Sequence, residues 1–99
     1  MTRFTKGHDP TIGEVLFYRL SESDVSRIRR QAAHHTHHEG QTIPLIVVRV
    51  YENEYGDGIP GVNGQAILDN ELGNLWIMSA KEGEKPGQWT IYDTSVDEL

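Results

Sequence analysis

Apolar residues gather in five short runs along the chain, and each run has the length and composition of a β-strand. Valine, isoleucine and aromatic residues favour extended backbone, and a glycine or proline precedes or begins each run. The runs cover residues 14–20, 44–51, 64–69, 74–80 and 88–92. The second run predicts the central strand, because Val and Ile dominate it and its proline stands at the first position.

One helix is predicted after the first run, beginning at about Glu22. Ser21 suits the N-cap position, and Asp24 follows three residues later, where its carboxylate can accept a hydrogen bond from the backbone N–H of the cap. Apolar residues then recur at helical spacing, at Val25, Ile28 and Ala32. They form a narrow stripe that packs on the rest of the domain, and Gly40 is the predicted end of the helix.

The number and order of these elements predict a small α+β domain that is mainly β. The third and fourth runs are separated by four residues and are typical of a hairpin. About five strands and one helix indicate a strongly bent antiparallel sheet or an SH3-like or OB-like barrel, with the helix over one opening or face. We expect one compact domain over residues 13–92, between a flexible lead-in over 1–12 and a flexible acidic tail over 93–99.

Composition removes several classes of protein. The 99 residues include no cysteine, which excludes a disulfide scaffold, a thiolate zinc site and a cysteine nucleophile. A net charge of −6 argues against general nucleic-acid binding, because that affinity depends on neutralising phosphates. No apolar run approaches the roughly 20 residues that span a bilayer, and residues 1–10 lack the apolar core of a secretory signal. We therefore expect a cytoplasmic protein without a membrane partner.

The predicted central strand also indicates self-association. Its two faces are both apolar, because Leu45 and Val47 alternate with Ile46, Val48 and Val50. In a barrel one set points inward, and the other set needs the helix or another subunit to cover it. A chain of this size also builds only one modest core, so a deep pocket would need a second subunit. We expect a homo-oligomer, most simply a dimer.

The histidine-rich residues 34–39 allow two interpretations. On a continuing helix, His34 and His38 lie one turn apart, which is the spacing that holds a metal ion, and Glu39 could add a further ligand. The alternative is a solvated helix end whose histidines favour the C-terminal dipole when protonated. The pattern lacks the glutamate of the HExxH motif, and no cysteine or second histidine pair completes a site. We predict no metal and no other cofactor.

Catalytic motifs are also missing. There is no GxSxG nucleophile elbow, no GxxxxGK[ST] loop, and no GxGxxG that follows a strand and opens a helix. The glycine-rich residues 56–64 are typical of turns. These patterns favour a binding protein over an enzyme.

Arginines and aromatic residues are suited to a small phosphorylated ligand, because a guanidinium can fork onto phosphate and a flat ring can stack on a base. The predicted ligand-binding set is Tyr18, Arg19, Arg27, Arg30, Trp76 and Trp89. Each residue also has a structural role open to it. Helix arginines commonly form a solvated face, and tryptophans commonly lie largely in the core.

Several stretches of the chain resemble a family of small bacteriophage and prophage proteins. Residues 13–30 read GEVLFYRLSESDVSRIRR and are similar to the family's opening, GDVVHYRLTADDAAAINRRR. Later segments are similar as well: PLIVVRV at 44–50, VNGQAILD at 62–69, and residues 76–89. The resemblance covers roughly residues 13–92, and the chain departs from it at residues 70–73, where the family has a shorter turn.

The family has no assigned activity, so the resemblance implies a setting rather than a reaction. Small phage accessory proteins often counter host defence, and some sequester nucleotide immune signals. By that analogy the chain is a phage-type anti-defence sponge in the host cytoplasm, which binds a small nucleotide-derived ligand of cyclic-dinucleotide or ADP-ribose type without turnover. The alternative is a protein-interaction module that docks on a host enzyme or a virion component through an exposed sheet edge or the acidic loop 52–63.

Overall fold

A computed structural model describes residues 9–32, 36–69 and 73–92 of the chain. It contains five strands and one helix in this order: β1 (Val15–Arg19), α1 (Glu22–Gln31), β2 (Thr42–Tyr51), β3 (Gly61–Ile67), β4 (Asn74–Glu82) and β5 (Gln88–Thr90). The predicted α+β, mainly β class is confirmed. The predicted lead-in and tail lie largely outside the described residues, although Pro10, within the predicted lead-in, is buried.

The five strands form a closed barrel in which β1 pairs with both β2 and β5. Neighbouring strands are antiparallel except β4 and β5, which run parallel with Lys81 opposite Gln88. A closed ring with an odd number of strands cannot alternate direction throughout, so one neighbouring pair has to be parallel. The predicted barrel is confirmed, and its sheet is mixed rather than antiparallel throughout.

Strand β2 is long enough to take part in both halves of the barrel. Its first half pairs with β1 and its second half pairs with β3, and the register with β3 shifts between Val47 and Arg49. Such a bulge increases the local twist and helps a strand turn the corner of a barrel. The predicted alternation is observed, because Leu45 and Val47 are buried while Ile46 and Val48 are exposed.

Helix α1 begins as the sequence predicts. Ser21 Oγ accepts from the backbone N–H of Asp24 at 3.1 Å, and Asp24 Oδ2 accepts from the backbone N–H of Ser21 at 2.9 Å. The apolar stripe packs into a core whose fully buried side chains come from the helix and every strand except β4: Leu16, Leu20, Ile28, Leu45, Val47, Val62 and Trp89. The helix therefore contributes to the same core as the barrel.

The helix is shorter than predicted, because it ends at Gln31 rather than near Gly40. Ala32 already has extended backbone angles. Further along, His37 is buried, and its Nε2 accepts from the backbone N–H of Asp69 at 3.1 Å. The apolar stripe ends at Ala32, so a longer helix would gain no core contact, whereas an extended chain brings His37 to the end of β3.

A second irregularity shapes the middle of β4. The register between β3 and β4 shifts after Val62, and Ser79 takes a left-handed φ of 52°. Asn63 Oδ1 accepts from the backbone N–H of Ser79 at 2.7 Å, and the Tyr55 hydroxyl donates to the carbonyl oxygen of Ser79. Both polar backbone groups at the bulge are thereby satisfied. Gly64 is required nearby, because a Cβ there would overlap the carbonyl oxygen of Ile46.

Candidate functional site

A cavity of about 270 Å³ lies between α1 and β4. Its lining comes from the two elements and from β1: Tyr18, Ser23, Asp24, Arg27, Trp76, Ile77 and Met78. We call this cavity the helix–strand cleft. It brings together three of the six residues predicted to bind a ligand, namely Tyr18, Arg27 and Trp76.

A hydrogen-bonded network joins the β1 and α1 sides of the cleft. The Tyr18 hydroxyl donates to Asp24 Oδ2 at 2.5 Å, and Arg27 Nη2 donates to Asp24 Oδ1 at 2.9 Å. Asp24 is 5 % exposed, so its carboxylate must keep these partners to remain charged away from water. The capping residue of the helix is thus also the centre of the cleft's polar network.

The electrostatics fix the protonation state of this network. Burial alone would raise the pKa of Asp24, but hydrogen bonds from Tyr18, the Ser21 backbone and Arg27 outweigh burial and hold that pKa below its usual value. Burial raises the pKa of Tyr18 well above its usual range, and the bond to Asp24 raises it further. Neither pKa moves toward neutrality, as general acid–base catalysis favours, so we assign the network a positioning role.

The β4 side of the cleft is apolar and accessible. Trp76 is 38 % exposed and Met78 is 67 % exposed, while the intervening Ile77 is buried. This alternation follows from the pleat of the strand, which turns successive side chains to opposite faces. The Arg27 side chain on the facing helix is 33 % exposed. The cleft therefore pairs an accessible indole ring with a partly accessible guanidinium.

The other predicted ligand residues lie elsewhere. Trp89 is fully buried, and its Nε1 donates to the carbonyl oxygen of Ala80 at 2.8 Å, so the core role is the one the structure supports and a ligand cannot stack on this ring. Arg19 is partly exposed on β1, and Arg30 is exposed on α1, one turn beyond Arg27. Neither arginine lines the cleft.

The structure also bears on the histidine cluster. Because α1 ends at Gln31, the helical spacing that would pair His34 with His38 is absent at His38, and His34 itself lies outside the described residues. His37 is buried and His38 is exposed. Within the described ranges, no group of three or more metal-binding side chains comes together. Nor is any helix in those ranges long and apolar enough to cross a membrane.

Two features of the surface could not be found from the sequence. Asp24 was predicted as a capping residue, and no local signal shows that Tyr18 and Arg27 converge on it. A larger cavity of about 580 Å³ is lined by residues from the chain's start, β2 and the following loop, including Ile12, Arg49 and Glu52. No aromatic ring lines it among the described residues, so we place the candidate site in the helix–strand cleft.

Comparison of the chain with family models, with curated proteins and with solved structures finds no match.

Proposed function

We propose that this protein binds a small nucleotide-derived ligand in the helix–strand cleft without turning it over. The observation that carries the proposal is the meeting of Tyr18, Arg27 and Trp76 around one cavity, although Trp76 lies far from the other two in sequence. The sequence singled out all three for their side-chain chemistry before any geometry was known. A cleft with a flat ring on one wall and a guanidinium on the other suits a ligand that has both a base and a phosphate.

The two walls would contribute different kinds of affinity. Stacking on an aromatic side chain is worth about 1–3 kcal/mol per base. A guanidinium has five N–H donors, so Arg27 can bind a phosphate oxygen while one donor stays with Asp24. The Asp24 charge opposes an anion, and the same carboxylate can accept from a ribose hydroxyl. We therefore expect nucleotides to bind more tightly than inorganic phosphate.

The size of the cleft limits how much ligand one chain can hold. Pockets for small molecules are commonly about 300–1,000 Å³, and this cavity of about 270 Å³ lies just below that range. It offers room for about one nucleotide unit. Tight sequestration, with a dissociation constant near 1 nM, needs about −12 kcal/mol. Part of a larger ligand, such as a cyclic dinucleotide or ADP-ribose, would then have to be covered by another surface.

The biological setting rests on the resemblance to phage proteins alone. In that setting the bound species would be a host immune signalling molecule, and the protein would act by sequestering it. The second candidate function is a protein-interaction module that docks on a host enzyme or a virion component. The exposed Ile46, Val48 and Met78 on the outside of the barrel favour it. The closed ring of described strands offers no sheet edge, so docking would use loop 52–63 or that outer surface.

The proposal is tested by capture and then by titration. Purified protein is exposed to nucleotide extracts of defence-activated bacteria, washed and heat-denatured, and the released molecules are analysed by mass spectrometry. Calorimetric titrations with AMP, ADP-ribose and cyclic di-AMP follow, with inorganic phosphate as the comparison. We expect a phosphorylated species at near-stoichiometric amount. Release of nothing from any extract, together with no binding of the three nucleotides, overturns the proposal.

Variants then locate the site. Arg27→Ala and Trp76→Ala should each weaken binding of the captured nucleotide at least about tenfold, which corresponds to about 1.4 kcal/mol. Arg29→Ala is the matched control, because Arg29 is exposed on the same helix and does not line the cleft. Equal losses in Arg27→Ala and Arg29→Ala would mean that binding follows net charge and that the cleft is not the site.

A further inference from the structure

The outside of the barrel carries a continuous apolar surface across four strands. One row of paired residues runs from β1 to β4: Val15, Ile46, Gln65 and Trp76. Met78 and Val48 lie two residues beyond Trp76 and Ile46 on their strands, and Ile67 lies two residues beyond Gln65. We call the exposed apolar members of this surface the outer apolar face: Val15, Ile46, Val48, Ile67, Trp76 and Met78.

We propose that the outer apolar face is a homodimer interface, in which a second copy of this chain packs against β1–β4. Such a contact is isologous, so each residue of the face meets the same surface on its partner. Two sheets packed face to face are a common way to bury apolar strand surfaces. The proposal gives a location to the self-association that the two apolar faces of β2 predict.

The exposed area is of the size that a dimer needs. The six side chains are between 37 % and 67 % exposed. At these fractions they present roughly 500 Å² of apolar surface, which is near the upper end for the largest patch on a monomer. The flanking Phe17, Pro44, Gln65 and Asn74 are uncharged and extend the surface toward the about 800 Å² per partner of a standard interface.

Charge favours a second copy over a charged partner. The chain has a net charge of −6, yet neither the outer apolar face nor its flanking residues include a charged side chain. Two copies can therefore meet here without placing like charges in contact, and repulsion between the remaining charges is screened by salt. Depletion of charge with enrichment in Trp and Met is also the composition of an interface core.

The dimer would complete the helix–strand cleft, a consequence that rests on the proposed function. Trp76 and Met78 belong both to the outer apolar face and to the cleft lining. A partner packed on the face therefore lies beside the cleft opening and can cover the part of a ligand that one cleft leaves exposed. We expect ligand affinity to rise with dimerisation.

The test is the mass of the protein in solution. Sedimentation equilibrium of the full chain, from micromolar to several hundred micromolar, should give twice the 11.2 kDa chain mass. Ile46→Lys should raise the dissociation constant of the dimer at least about 100-fold, because the two-fold axis places the buried charge in the interface twice. Ile59→Lys is the matched control, since Ile59 is 39 % exposed in the loop after β2 while Ile46 is 37 % exposed.

Tryptophan fluorescence supplies a second readout. Trp89 is already buried, so a blue shift of the emission on raising the protein concentration reports the burial of Trp76. Circular dichroism of Ile46→Lys checks that the variant is folded. A monomer for the unsubstituted chain over the whole range, or a folded Ile46→Lys that dimerises as well as Ile59→Lys, overturns the proposal.

The two proposals can fail separately. A dimer that releases no nucleotide and binds none would contradict the proposed function and leave the interface standing. A monomer that binds a nucleotide through Arg27 and Trp76 would contradict the interface and leave the ligand site standing.

Discussion

The two tryptophans of this protein lie on opposite sides of the barrel wall, and they have different environments. Trp89 of β5 is fully buried and donates to the carbonyl oxygen of Ala80. Trp76 of β4 is 38 % exposed and lines the helix–strand cleft. The inner side of the wall is thus committed to folding, whereas the outer side keeps its surface for contact with something else.

The polar groups of the cleft divide in the same way. Tyr18 and Asp24 are buried and bonded to each other, so they belong to the inner side. Met78 is largely exposed and belongs to the outer side. Arg27 stands between them, because it pairs with Asp24 while its side chain is 33 % exposed. The comparison teaches that changes on the inner side should reduce stability, and changes on the outer side should reduce binding or association.

The largest expected contrast is between Trp89→Ala and Trp76→Ala. Removing the buried indole leaves a cavity and an unsatisfied carbonyl, so Trp89→Ala should lower the free energy of unfolding by about 3–5 kcal/mol. Trp76→Ala removes a half-exposed ring and should lower it by less than about 1 kcal/mol. Urea denaturation at low protein concentration measures both. Similar losses in the two variants would contradict the division of the wall into two sides.

A smaller loss of stability is expected from Asp24→Asn. An asparagine must place its amide nitrogen where one carboxylate oxygen was, so either Arg27 or the Tyr18–Ser21 pair then faces a donor instead of an acceptor. Hydrogen bonds to a charged group are worth about 1.5–3 kcal/mol, and we expect a loss of about 2–3 kcal/mol in the free energy of unfolding at neutral pH. Glu22→Gln in the first turn of α1 is the control, because Glu22 is exposed.

The same substitution should change the pH dependence of stability. Hydrogen bonds hold the pKa of Asp24 below its usual value of 3.8 in the folded state. The stability that this carboxylate contributes is therefore fully present above that value and is lost as the pH falls below it. The difference between the unsubstituted chain and Asp24→Asn in thermal unfolding should shrink in acid. A difference that stays constant down to the lowest pH at which both fold would mean that Asp24 does not act through its charge.

Local signals predicted the elements, whereas the assignment of sides depended on long-range geometry. The start of α1 follows from Ser21 and Asp24, which lie within one turn of the chain. In β4, however, Leu75 and Ile77 alternate with Trp76 and Met78, so both faces are apolar and the sequence cannot show which one points inward. That choice is made by the closure of the barrel. The parallel pairing of β4 with β5 likewise depends on closure and has no local signature.

Arg27→Ala gives the smallest expected change in stability and examines the residue at the boundary. Its ion pair with Asp24 joins residues three apart on one helix and is partly exposed, so its loss should lower the free energy of unfolding by at most about 1 kcal/mol. Binding of the captured nucleotide should nevertheless fall at least tenfold. Arg27→Lys sharpens the result, because lysine keeps the charge and lacks the planar fork of donors. Binding that recovers fully in Arg27→Lys would indicate a contact with charge alone, whereas binding that stays weak would indicate that the guanidinium geometry is read by the ligand.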